Sequence, residues 1–301
     1  MQHALGWILF HIIIMIMLVL DLGVLNKKAH RIQIQEAVFY SVVWILIAFL
    51  FNTGVYYLYG EKEALEFLTG YIIEKSLSVD NIFVMILIFK AFQIPDKFQH
   101  KVLFWGILGA IVFRAIMIFF GVALVNRFHW LFYFLGIILI YSSIKMVLRK
   151  EKETNIKENP IVKWIERIYP TTIDNERGRF FVKGKNKIFL TNLFICLLVI
   201  EFTDIIFALD SIPAILAITL DPFIVYTSNI FAILGLRSLY FALAGIMEIF
   251  RYLKYALFVI LFFIGIKMIL VDLVKIPTLL SLIFILGVLS ISVFFSIAIP
   301  K

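Results

Sequence analysis

Five carboxylates stand where carboxylates are costly. Glu74, Asp80, Glu201, Asp204 and Asp210 all fall within long apolar stretches. Each would cost roughly 2.5–3.5 kcal/mol at bilayer depth, and five left unpaired would cost on the order of 12–17 kcal/mol. That exceeds the net stability of many proteins. These acids must therefore be protonated, paired with cations, or face water. Lys75, Arg114 and Arg237 lie in the same stretches and can neutralise at most three of them. Ion pairs that brace the helices would explain the arginines but leave two acids over. A bound divalent cation would offset that excess. The nearby donors are carboxylate, amide and hydroxyl oxygens, a set that suits Mg²⁺, Ca²⁺ and Mn²⁺. Zinc and copper favour His and Cys, and neither is clustered here. His11 stands alone in its apolar run and reads as a helix–helix hydrogen-bond partner. Cys196, the chain's one cysteine, excludes a disulfide framework and reads as a small core residue.

Helical spacing refines the picture. Glu74, Ser78 and Asn81 share one face, and Glu201, Asp204 and Ser211 form a similar stripe. Glu74 and Asp80 are six residues apart, about 120° around an ideal helix. Both reach one site only if the helix deforms or the site lies in a crevice between helices. Pro213 removes a backbone donor and crowds the Leu209 carbonyl, so it predicts a deformation in its own segment.

The elements that must position these residues are membrane helices. Of the 301 residues 63% are hydrophobic and only 16% charged, with a mean hydropathy of +1.03. Soluble domains hold about 25% charged residues. Nine apolar runs of roughly the 20 residues needed to cross a bilayer fall at 5–25, 36–59, 64–89, 102–125, 130–148, 188–219, 223–249, 253–272 and 277–299. Lys and Arg collect in alternate loops, 27–31, 90–101, 149–187, 251–254 and the C-terminus. The positive-inside tendency then puts the N-terminus outside and the C-terminus inside. The net charge of +8 is explained by those loops and does not point to nucleic acid. The first run lacks a basic leader and an A-x-A cleavage site, so it reads as a retained helix. Within 150–187, Ile161, Val162, Ile165 and Ile168 follow helical spacing and predict a short amphipathic helix on the cytoplasmic surface, open to a protein partner.

Two segments resemble each other. Glu74-x5-Asp80-Asn81 in the third span matches Asp204-x5-Asp210-Ser211 in the sixth. Arg114 in the fourth matches Arg237 in the seventh. Ile144-Lys145-Met146 ends the fifth, and Ile266-Lys267-Met268 ends the eighth. A unit of three helices is odd, so the copies must cross in opposite directions. Inverted repeats of this kind belong to transporters, whose sites lie near the midplane at the repeat interface. The expected architecture is a single all-α membrane domain. A two-helix segment at 5–63 precedes repeat 1 at 64–149, the cytoplasmic loop at 150–187, repeat 2 at 188–273 and a last helix at 277–299.

At these residues the chain resembles the TerC/Alx family of integral membrane proteins, within the LysE-type transporter superfamily. The likeness is carried by EKSLSVDNIFV at 74–84, EFTDIIFALDSIPAIL at 201–216, SNIFAILGLRSLYF at 228–241, DLGVLNKKAHRI at 21–32 and FIGIKMIL at 263–270. The resemblance implies Mn²⁺ efflux, metal homeostasis and tellurite resistance. For some relatives it implies metallation of exported enzymes or membrane-protein biogenesis. Carried over by motif, it implies an ion site of Glu74, Asp80, Asn81, Glu201, Asp204, Asp210 and Ser211. Lys75, Arg114 and Arg237 would balance the charge.

The reading is a multi-pass transporter in the cell (inner) membrane that exports a divalent cation. Mn²⁺ is favoured over Ca²⁺ or Mg²⁺, protons are the counter-ion, and no permanent cofactor is needed. The rival is a non-transporting scaffold organised by loop 150–187. An enzyme is not expected. Intramembrane aspartyl proteases also pair buried aspartates, but the Gly-rich motif beside their catalytic pair is missing.

Overall fold

Backbone groups in lipid must find hydrogen bonds within their own segment, so apolar runs of this length become helices. The computed structural model describes residues 2–23, 34–148, 171–172, 178–183, 188–244 and 252–298. Five helices come first: α1 (Gln2–Gly23), α2 (Ile34–Tyr59), α3 (Glu61–Ala91), α4 (Asp96–Arg127) and α5 (Leu131–Leu148). Three short strands follow: β1 (Thr171–Thr172), β2 (Phe181–Lys183) and β3 (Ile188–Thr191). Then come α6 (Asn192–Leu216), α7 (Pro222–Leu234), α8 (Leu236–Ala244), α9 (Leu253–Ile269) and α10 (Thr278–Ala298). Among the described residues six segments are long and apolar enough to cross a membrane: α2, α4, α5, α6, Pro222–Leu243 and α10. Helices α1, α3 and α9 are consistent with the other three expected crossings. The first has its apolar run at Gly6–Leu18, the second is charge-rich, and the third has 17 residues.

Three expectations are corrected. Residues 188–191 open the predicted sixth span as strand β3, not helix, and pair with β2 antiparallel and β1 parallel. This small sheet ties the starts of two helices together. Lys101 of α4 donates to the Gly178 carbonyl at 2.8 Å, and Thr191 caps α6 by accepting from Phe194 N at 3.4 Å. Secondly, α6 continues through Pro213 to Leu216. The proline gives up the bond to the Leu209 carbonyl, but the helix is not broken there. The interruption falls instead in the predicted seventh span, at Gly235 between α7 and α8. Thirdly, His11 bonds back to the Trp7 carbonyl of its own helix at 2.8 Å and stacks on Tyr226 with ring centroids 6.0 Å apart. Its interhelical contact is a ring contact. The predicted amphipathic helix at 161–168, and most of loop 150–187 with it, lies outside the described residues.

Packing is arranged around α7. From Phe223 to Leu234 every residue is buried, as expected of a helix apolar on all sides. Asp221 caps its start, accepting from Phe223 N at 2.8 Å, and Pro222 occupies its first turn. Helices α3 and α4 pack against it, α6 packs against both of them, and α2 covers α3. Gly106 lies against Leu197 and Ile200, and Gly121 against Ile212 and Leu216, so α4 and α6 run in the same direction. Helices α5 and α9 pack far more on each other than on this bundle. They cross at a pair of glycines: a Cβ on Gly136 would stand 2.8 Å from the Gly265 carbonyl oxygen, and the reverse contact is the same. Gly136 also meets Ile269 while Gly265 meets Ile140, so the two helices are antiparallel. Small residues let membrane helices approach this closely.

A polar clip joins the start of α5 to the end of α9. Asp272, in the turn after α9, accepts from Tyr133 and lies 3.0 Å from His129 Nε2. Those hydrogen bonds, Tyr133's first and His129's second, hold its carboxyl below the usual range. A carboxylate with a lowered folded-state value stabilises above its unfolded value, ~3.9, and loses that effect as pH falls through the folded one. Asp272→Asn should therefore lower the thermal midpoint in detergent at pH 7, and the gap should close as the scans are taken below about pH 4. Gly136→Ala should cost about 1–3 kcal/mol by overpacking the α5–α9 crossing, read as a lower thermal midpoint. Leucine there should prevent recovery of folded protein.

Candidate ion site

Arg114 enters from the middle of α4 and is fully buried, as is Glu74. Its guanidinium forks onto Asp204 of α6, with Nη2 to Oδ1 at 2.8 Å and Nε to Oδ2 at 3.1 Å. On its other side Nη1 donates to Glu74 Oε1 of α3 and to Asn229 Oδ1 of α7 at 3.1 Å. Asn229 closes the ring, donating Nδ2 to Glu74 Oε2 at 3.0 Å. Four helices thus meet on one cation. Planar bidentate geometry is what arginine supplies and lysine does not. Ser78, a turn along from Glu74, adds a long contact at 3.5 Å.

Lys75, the next residue, turns elsewhere. Its ammonium donates to the Ala232 carbonyl at 3.2 Å, in the last turn of α7, where carbonyls lack helical partners. Gly235 makes room: a Cβ there would stand 2.6 Å from that ammonium. Lys75 thus caps the interrupted helix rather than a carboxylate.

The remaining acids, Glu201, Asp80 and Asp210, separate into two places, the first of them beside the ring's Asp204. Glu201, Asp204 and Arg237 line a small cavity among α3, α4, α6, α7 and α8, whose remaining walls include Met85, Leu103 and Ile107. Glu201 rests against Gly109, and its Oε2 is buried without a hydrogen-bond partner. Asp80, Asn81, Asp210 and Ser211 line a second cavity with Leu77, Phe207 and Met146. The cavity is small, about 30 Å³, with room for roughly two waters or a dication that has shed most of its shell. Six of its seven lining residues form three pairs at the same offset along α3 and α6: Leu77 with Phe207, Asp80 with Asp210, Asn81 with Ser211. The seventh, Met146, comes from α5. Ser142, one turn earlier, donates to Asp210 Oδ2 at 2.8 Å. Asn81 Oδ1 and Ser211 Oγ are buried without a hydrogen-bond partner, and their residues are only 3% and 2% exposed.

The seven residues implied by motif are therefore not one cluster. Helix α3 is continuous from Glu61 to Ala91, so the 120° between Glu74 and Asp80 sends them to different sites. Among the described residues no three His, Cys, Asp or Glu side chains converge as a ligand set. Asn229, Ser142 and Met146 were not anticipated. Asn229 was visible as an amide in an apolar run, where it must find partners. The two α5 residues gave no such signal.

The model of the integral membrane protein TerC family matches residues 59–301. An uncharacterized membrane protein of Myxococcus xanthus, STKORF319, is 50% identical, covering 95% of this chain and 90% of that protein. Alx of Escherichia coli strain K12, named as a proposed membrane-bound redox modulator, is 46% identical over 94% of this chain and 91% of its own. An uncharacterized membrane protein of Rickettsia felis is 48% identical over 92% of each. No solved structure matches. With its acidic motifs, its crossing helices and these relatives, the chain belongs to the TerC family of integral membrane proteins.

Proposed function

We propose that this protein exports a divalent metal cation, Mn²⁺ by preference, from the inner side of the cell membrane through the Asp80/Asp210 cavity. The observation that carries the reading is the donor set. Two carboxylates from matching positions face a small cavity that also holds two buried oxygens without hydrogen bonds. Such oxygens cost free energy unless something occupies them, and hard oxygen donors suit a dication. Arg114 holds Glu74 and Asp204, so those acids brace the bundle and the cargo binds at Asp80, Asn81, Asp210 and Ser211. Glu201 lies apart from that set.

The antiparallel crossing of α5 and α9 supports an inverted relation between the two motif copies. The cavity lies in the seam between this pair and the bundle, where a rocking motion would open it to one side and then the other. An inside-negative potential opposes exit by about 2.3 kcal/mol per charge per 100 mV, so export needs coupling. Protons are the natural counter-ion, since the same carboxylates can hold a proton or the metal. Alx carries a redox role in its name. Here the one thiol, Cys196, is fully buried, so an effect on cellular redox state would follow from moving a redox-active metal.

Asp80→Asn and Asp210→Asn should each abolish Mn²⁺ flux in proteoliposomes and Mn²⁺ tolerance in cells, with unchanged membrane insertion. Full flux in Asp210→Asn would rule out this site. Wild-type vesicles that move no metal would favour the scaffold reading. Arg114→Ala should behave differently: it strands buried charges at about 3–5 kcal/mol, so the amount of folded protein should fall before any flux is measured.

A further inference from the structure

The repeated Ile-Lys-Met motif has different surroundings in its two copies. Met268 of α9 is 1% exposed and packs at the glycine crossing, its Cβ 3.2 Å from where a Gly136 Cβ would stand. Met146 of α5 instead lines the Asp80/Asp210 cavity. It is the one sulfur among the cavity's lining residues, and the one lining residue contributed from outside α3 and α6. An apolar wall needs no sulfur, since leucine and phenylalanine already supply it at Leu77 and Phe207. The feature that sets methionine apart is a polarisable thioether that is a weak donor.

Oxygen donors alone serve Mg²⁺, Ca²⁺ and Mn²⁺ alike. Mg²⁺ and Ca²⁺ are hard and take oxygen ligands. A thioether gains little from them and more from a d-block dication, the gain being smallest for Mn²⁺ and rising toward copper. Resting on the transport reading above, we propose that Met146 is the specificity-determining residue of the cavity, favouring a transition-series dication over Mg²⁺ and Ca²⁺. The oxygen set then supplies charge and the α5 thioether supplies discrimination. Mg²⁺ also gives up its waters reluctantly, and a site with one non-oxygen wall position leaves it one fewer replacement for them.

The test uses the full chain in proteoliposomes carrying an Mn²⁺-quenched dye, with Mg²⁺ or Ca²⁺ as competitor. Met146→Leu keeps volume and apolarity and removes only the sulfur. The variant should still take up Mn²⁺, while the excess of Mg²⁺ or Ca²⁺ needed for half-inhibition should fall by about tenfold, the low end of what losing a residue that supports a metal site costs in affinity. Met146→Gln, which adds an oxygen, should fall at least as far. An unchanged competitor excess in Met146→Leu would overturn the inference while leaving the transporter in place. Mn²⁺ binding to the detergent-purified variant, followed by loss of the free-ion paramagnetic resonance signal with and without competitor, reads the same preference if vesicle insertion fails. If the wild-type protein neither binds nor moves Mn²⁺, or Asp210→Asn leaves flux unchanged, the transport reading itself fails and takes this inference with it.

Discussion

A single buried arginine sets the terms for the membrane bundle. Arg114 touches Glu74, Asp204 and Asn229, and so α4 is joined to α3, α6 and α7 at one depth. In a low-dielectric interior each of these contacts is strong, and each partner left alone would be costly. The four helices can slide or rotate little without breaking it, whereas their apolar surfaces alone would tolerate many registers. Lipid tails are as apolar as leucine and give helices little reason to choose one neighbour. The specificity of the bundle comes from this ring and from the aromatic packing of Trp7, Phe10 and Phe51 around Phe223 and Phe231.

Because the ring fixes the rotation of α3 and α6, it also fixes what lies six residues further along. Asp80 and Asp210 are carried to another face of the same helices, where α5 takes the place of α4. One pair of acids is consumed by structure and the matching pair is left facing a cavity. The two arginines are likewise unequal. Arg114 holds two carboxylates, whereas Arg237 stands with Glu201 and Asp204 at the wall of a separate cavity. Each acidic motif thus does two jobs, its first acid bracing the bundle and its second lining the cavity.

Much of this was legible in the residues. The helical character of the apolar runs and the burial of Glu74, Asp204, Arg114 and Arg237 followed from composition and spacing, and the family followed from its motifs. The angle between Glu74 and Asp80 left one shared site only to a bent helix or a crevice between helices, and α3 is continuous while the two acids face different places. What stayed hidden depends on neighbours distant in sequence. Lys75 reads as a counter-charge until the interruption at Gly235 supplies a carbonyl closer to it. Pro213 looks like a breaker, yet α6 continues through it to Leu216. Strand β3 continues an apolar run and differs from helix only in having β2 beside it. Ser142 and Met146 are ordinary residues of an apolar helix, and their meaning comes from which helix α5 faces.

The glycine crossing has a mechanical consequence. Two helices whose backbones touch can pivot about the contact but cannot part without exposing a gap that lipid would have to fill. Any tilt of α5 is therefore transmitted to α9. The two helices thus act as one lever, pinned at two residues that carry no side chain.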